Sequence, residues 1–200
     1  MTQRIPNTAG PCGTATRTIS DPEVQALAMI ATTLQVDYGS EDVDWLGSPF
    51  AWIRSRPSRQ VGAIGERLVA GWLAAKGLDV TRSPDSDADR LINGHRVEIK
   101  FSTLWRSGVY KFQQLRDQNY EFAICLGISP FDAHCWAIPK QEIMHRWHSS
   151  DGIASQHGGK AGADTAWLSF SPAEPPAWMR VCGGRLSEAV RVIRNLAPRA

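Results

Sequence analysis

The stretch Asn93 to Ser102, "NGHRVEIKFS", decides how the middle of this chain folds. Asn93-Gly94 is the strongest two-residue hairpin signal a sequence offers, because a type I′ turn needs positive φ at both central positions. Beyond it, Val97, Ile99 and Phe101 alternate with Glu98, Lys100 and Ser102. Alternate side chains of a strand share a face, so the apolar trio faces a core and the polar trio points the other way. Ala88 to Ile92 reads as the strand that enters the turn. A two-residue loop sets Ile92 opposite His95, Leu91 opposite Arg96 and Arg90 opposite Val97. Asp89 then lands opposite Glu98.

Directly opposed side chains lie on one face with Cβ atoms roughly 5 Å apart, and two like charges so placed repel. A divalent cation between them reverses the sign. One or two carboxylates offering hard oxygens suit Mg²⁺. Lys100 shares the face with Glu98, within reach of an attacking water or a charged transition state. An E-x-K pair on a strand is most often a solvated ion pair. What distinguishes this one is the conjunction of an opposed Asp, a fixed turn and an unusual Glu on the preceding helix.

That helix is "GAIGERLVAGWLAAK", Gly62 to Lys76, ending at Gly77 in the C′ position. Ile64, Leu68, Trp72 and Ala75 form its expected apolar stripe. Glu66 opens a second row with Val69 and Leu73, which sets a carboxylate at the border of the core. Charge there is costly unless paired or bound.

Outward from this centre, residues 1–20 are polar and expected to be mobile. Asp21-Pro22 caps a helix to about Val36. Tyr38 to Pro57 reads as a packed irregular arm. Leu78 to Thr81 is expected as a strand, Phe112 to Gln118 as a helical turn or two, and Glu121 to Ile128 as a strand buried on both faces. A strand at Ala133 to Ile138, a helix at Lys140 to Trp147, a Gly-rich loop at 151–164, a strand at Thr165 to Phe170 and a helix at Leu186 to Leu196 follow. This order predicts a mixed α/β fold, a central mixed sheet flanked by helices. The expected division is a single domain over 21–200, with its core at about 62–140 and a C-terminal part at 141–200.

The chain has 200 residues and a net charge of +2, enough for a real core and too little charge to decide for or against nucleic acid. Four cysteines, at 12, 125, 135 and 182, form no CxxC pair, and Cys125 and Cys135 read as buried hydrophobes. No apolar run suits a membrane span and no secretory leader is apparent, so a cytoplasmic protein is expected.

Glu66 in "IGERLV", Asp89 in "DADRLI", and Glu98 and Lys100 in "VEIKFS" resemble the site of the PD-(D/E)XK nuclease superfamily, the fold of many restriction endonucleases. The order helix, three-strand meander, helix, strand, over roughly Gly62 to Lys140, is similar too. The literal Pro84-Asp85 departs from the best register; Asp87, opposite Lys100, is the substitute for Asp89. The resemblance implies Mg²⁺-dependent hydrolysis of phosphodiesters in double-stranded DNA, with Mn²⁺ as a substitute metal. Asp89 and Glu98 would bind metal, the Ile99 carbonyl would add a ligand, and Lys100 would orient or deprotonate water. A type II restriction endonuclease is expected, its two active sites paired by homodimerisation, with the C-terminal part, 141–200, serving DNA recognition or dimerisation. A repair or junction-resolving nuclease, a non-catalytic DNA-binding subunit, and an α/β domain with an accidental Asp89–Glu98 opposition are the alternatives.

For DNA contact, the candidates are Arg59, Gln113, Gln114, His157 and Lys160, the last two in the loop "QHGGKAG". His145 and His148 lie one helical turn apart, without a persuasive third zinc ligand.

Overall fold

The computed structural model describes residues 19–38, 43–149, 151–156 and 164–196. Asn93 and Gly94 take φ of 50° and 82°, the left-handed pair a type I′ turn demands. They join β2 (Arg90–Ile92) to β3 (His95–Thr103) in the expected register, Ile92 to His95, Leu91 to Arg96 and Arg90 to Val97. The Asn93 side chain accepts the Asp79 N–H at 3.0 Å, which ties the turn to the approach of β1 (Val80–Arg82).

A six-stranded sheet grows from this hairpin in the order β1-β2-β3-β5-β6-β9, with β5 at Phe122–Ile128, β6 at Ala133–Pro139 and β9 at Gly183–Arg185. The β3–β5 pair is parallel and the others are antiparallel. All seven residues of β5 are buried, as its unbroken apolar run predicts for a central strand. A second sheet has the order β4-β8-β7, from Tyr110–Leu115, Ala166–Phe170 and Ile153–Ser155. The fold is therefore mixed α/β, with a central mixed sheet.

Each face of the large sheet has its own core. On one face, Val97, Ile99, Ile124 and Leu126 pack with Val69 and Leu73 of α3 (Ser58–Ala75) and with Val190 and Ile193 of α5 (Leu186–Asn195). On the other, Ala123, Cys125, Trp136 and Ile138 pack with Tyr110, Phe112 and Leu168 of the second sheet, and with Ile143 of α4 (Lys140–His148). Cys125 and Cys135 are fully buried free thiols. The part after residue 140 completes both sheets.

Four local expectations are corrected. The segment Phe112 to Gln118 is not helical, because Tyr110, Phe112 and Leu115 line a strand that carries a bulge. Gln114, at φ 58°, is the extra residue, and it stretches the apolar spacing from two to a helix-like three. The crossover from β3 to parallel β5 thus runs through a strand of the second sheet and not through a helix. α3 starts a turn before Gly62, since the Pro57 carbonyl accepts the Val61 N–H at 3.1 Å. Its most buried row is Gly65, Val69 and Leu73, with Ile64, Leu68 and Trp72 on the flank. Gly65 lies so close to Phe101 of β3 that a Cβ would overlap that ring, and this contact rotates the helix. Leu78 closes the helix and does not open β1: its N–H bonds the Leu73 carbonyl at 3.2 Å, beyond Gly77 at φ 78°.

The chain divides into two compact units, Met1–Glu41 and Asp42–Ala200. The boundary falls after α1 (Pro22–Tyr38). Within α1, Asp21 acts as the expected cap, its carboxylate accepting the Glu23 N–H at 2.8 Å. In the second unit, a 3-10 turn (Val43–Trp45) and α2 (Ala51–Arg54) bury Trp45 and Ile53 in the α3 core, the packed arm expected there. Expectations for residues 1–18 and for His157 and Lys160 fall outside the described residues. No helix among the described residues is long and apolar enough to cross a membrane.

Candidate functional site: a carboxylate–lysine edge on β3

The β2 ladder stops at Arg90 and Val97, while β3 runs on to Thr103. The backbone of Ile99 therefore faces the sheet edge without a strand beside it. Asp89 takes that place. Its carboxylate accepts the Ile99 N–H at 2.7 Å, and its own N–H donates to the Val97 carbonyl at 2.9 Å. Val97 is already the partner of Arg90, so Asp89 is one step out of ladder register. This corrects the flat opposition of Asp89 to Glu98. Both carboxylates still lie within electrostatic reach of each other, through a side chain hooked over the edge.

Glu98 and Ser102 belong to a face that the sequence leaves looking exposed. They are buried, at 6% and 3% exposure, because the second sheet covers that face. The Ser102 hydroxyl accepts the Lys111 N–H of β4 at 2.9 Å. Lys100 reaches back to Glu98, with Nζ 2.6 Å from a carboxylate oxygen. Desolvation raises the Glu98 pKa above the usual carboxylate range; Lys100 pulls it down, and Asp89 adds to the rise.

Glu66 comes from α3 and sits half-buried at the same edge. Burial raises its pKa first, with the Asp89 charge next. Arg90 opposes this from 3.5 Å while also donating to the Asp89 carbonyl at 2.6 Å. Three carboxylates and a lysine thus share one electrostatic neighbourhood, as the sequence predicts. Pro84-Asp85 does not join them. Asp85 is ion-paired with Arg96, which holds its carboxyl below the usual range, and Asp87 also lies in the field of Arg96.

Two further neighbours bear on the site: Arg116, which the sequence offers with Lys111 as a phosphate contact beside Gln113 and Gln114, and Tyr120, which escaped the sequence reading. Arg116, exposed just past β4, lowers the Glu98 pKa. Tyr120 is buried near Glu98, its hydroxyl without a hydrogen-bond partner among the described residues. No signal in the sequence marks Tyr120, since it precedes β5 in an otherwise ordinary loop. Of the DNA-contact candidates, Arg59 is exposed in the first turn of α3, about 10 Å along the helix from Glu66. Gln113 is half-buried on β4 and Gln114 is the exposed bulge residue.

Among the described residues, no group of three or more His, Cys, Asp or Glu side chains is poised to hold a metal ion. The oxygens of Asp89 and Glu98, with the Ile99 carbonyl on the same edge, form a smaller set of the hard donors that a Mg²⁺ ion accepts alongside water. Two features suit a cation there: carboxylates whose own repulsion and burial resist ionisation, and a buried hydroxyl left without a partner. No protein-family model matches the chain, and a search of curated proteins finds no matching relative.

Proposed function

We propose that this protein is a nuclease of the PD-(D/E)XK kind, hydrolysing phosphodiester bonds in double-stranded DNA with Mg²⁺, or Mn²⁺ in its place. The observation that carries the reading is the Asp89–Ile99 hydrogen bond, which draws Asp89 beside Glu98, Lys100 and Glu66 at an open strand edge. Asp89, Glu98 and the Ile99 carbonyl would hold the cation. When bound, it supplies a Lewis acid that eases deprotonation of an attacking water and offsets charge on the phosphate.

The remaining roles belong to the chain itself. A lysine ammonium has three donors, and Glu98 occupies one at 2.6 Å. The others are available to orient the water and to meet a phosphate oxygen. Glu66, whose raised pKa moves it toward neutrality, holds or releases a proton at the rim of the site. Arg90 and Arg116 add positive charge where a phosphate would approach. Within this chemistry we favour a type II restriction endonuclease.

The test is digestion of mixed plasmid and phage DNA, with Mg²⁺ and with EDTA, by the native protein and by Lys100→Ala. Discrete Mg²⁺-dependent bands, absent in the variant, support a sequence-specific nuclease. Intact duplex alongside cut branched substrates shifts the reading to a junction-resolving or repair nuclease. Intact DNA of every form, with any divalent metal, defeats it.

A further inference from the structure

At the other edge of the large sheet, β9, α5 and a 3-10 turn (Ala177–Cys182) enclose a cleft of about 680 Å³. Arg180, Arg185 and Arg191 line it and all three are exposed. Among the described residues no carboxylate forms an ion pair with any of them. The one acid in the lining, Glu188, is engaged: it accepts the Arg185 N–H at 3.0 Å. Gly183 and Gly184, at φ 135° and 145°, form the floor, where backbone conformation rules out a side chain.

The strand registers connect this cleft to the carboxylate–lysine edge. Lys100, Cys125, Trp136 and Gly183 form one row across β3, β5, β6 and β9. Ser102, Gly127, His134 and Arg185 form the next row. Three strand spacings separate β3 from β9, about 14 Å.

We propose that this arginine cleft binds the phosphodiester backbone of a nucleic acid, as a second anchor level with the edge that carries Lys100. Three exposed guanidiniums line one cleft, and each can meet a phosphate with bidentate hydrogen bonds. The inference rests on the nuclease reading only for the identity of the polyanion.

The experiment is equilibrium binding of a short fluorescent duplex in EDTA, where cleavage is off, between about 50 and 200 mM salt. The native protein is compared with the Arg180→Gln, Arg185→Gln, Arg191→Gln triple variant, its fold checked by circular dichroism. Each lost phosphate contact lowers the slope of log K against log salt by about 0.9, so the triple variant should lose about 2.7. A single Arg191→Gln variant, which leaves β9 intact, should lose about 0.9. Unchanged slope and affinity in the variants overturn the proposal. So does a native protein that binds no duplex, in which case digestion still judges the nuclease reading separately. In a parallel arm, pyrophosphate is tested by thermal shift. Stabilisation by pyrophosphate that the triple variant loses, with DNA slopes unchanged, would assign the cleft to a small phosphorylated ligand and overturn the proposal too.

Discussion

The Asp89 carboxylate accepts the Ile99 N–H at 2.7 Å and so stands in for the strand that β2 fails to extend. The interaction is structural and electrostatic at once, and two substitutions separate the roles. Asp89→Asn keeps an oxygen acceptor and should fold with near-native stability. Asp89→Ala leaves a part-buried N–H unpaired and should lose about 1–2 kcal/mol in chemical denaturation. Both remove the charge, so neither should cleave DNA. Cleavage by Asp89→Asn at the native rate would remove Asp89 from the site.

Divalent metal should stabilise the native protein. Mg²⁺ at ten times its Kd should add about 1.4 kcal/mol, read as a rise in Tm over an EDTA control. Asp89→Ala should show little or none of that rise. A rise of equal size in native and variant would place the cation elsewhere.

Stability should also depend on pH through Glu98 and Glu66, both with pKa raised mainly by burial. The folded state of each holds its proton to higher pH than the unfolded chain does. Their contribution is therefore fully present below the ordinary glutamate pKa, about 4.3, and is lost as pH rises through the folded values. In EDTA, the native protein should lose stability relative to Glu66→Gln over that window. Urea unfolding of both proteins at stepped pH gives the difference curve; a curve of opposite slope contradicts the burial argument.

Gly65 lets α3 rest against Phe101. Gly65→Val should push the helix off the sheet and destabilise by about 1–3 kcal/mol, by the usual cost of overpacking. It should also displace Glu66, the next residue, and lower DNA cleavage beyond the stability loss. Thermal unfolding with single-turnover cleavage on the folded fraction separates the two effects. Unaltered Tm would mean the helix has room that the contact denies.

The Asn93-Gly94 turn, the alternation of Val97 to Ser102 and the buried run Phe122 to Ile128 are legible in the sequence, because each is set by dihedral preference or by a period within a few residues. The same locality brought Asp89, Glu98 and Lys100 together, whereas Glu66 joins them only through the packing of α3 on β3. What stayed hidden depends on distant partners. Phe112 and Leu115 look helical until β8 pairs with β4 and Gln114 is left over as a bulge. Glu98 looks solvated until the second sheet covers it. The α3 stripe cannot be assigned until Phe101 selects Gly65 as its closest approach. The arginine cleft joins residues from the end of the chain to a row that begins at Lys100. Turn and strand follow from neighbours in sequence; burial, charge environment and the far anchor follow only from which surfaces the folded chain brings face to face.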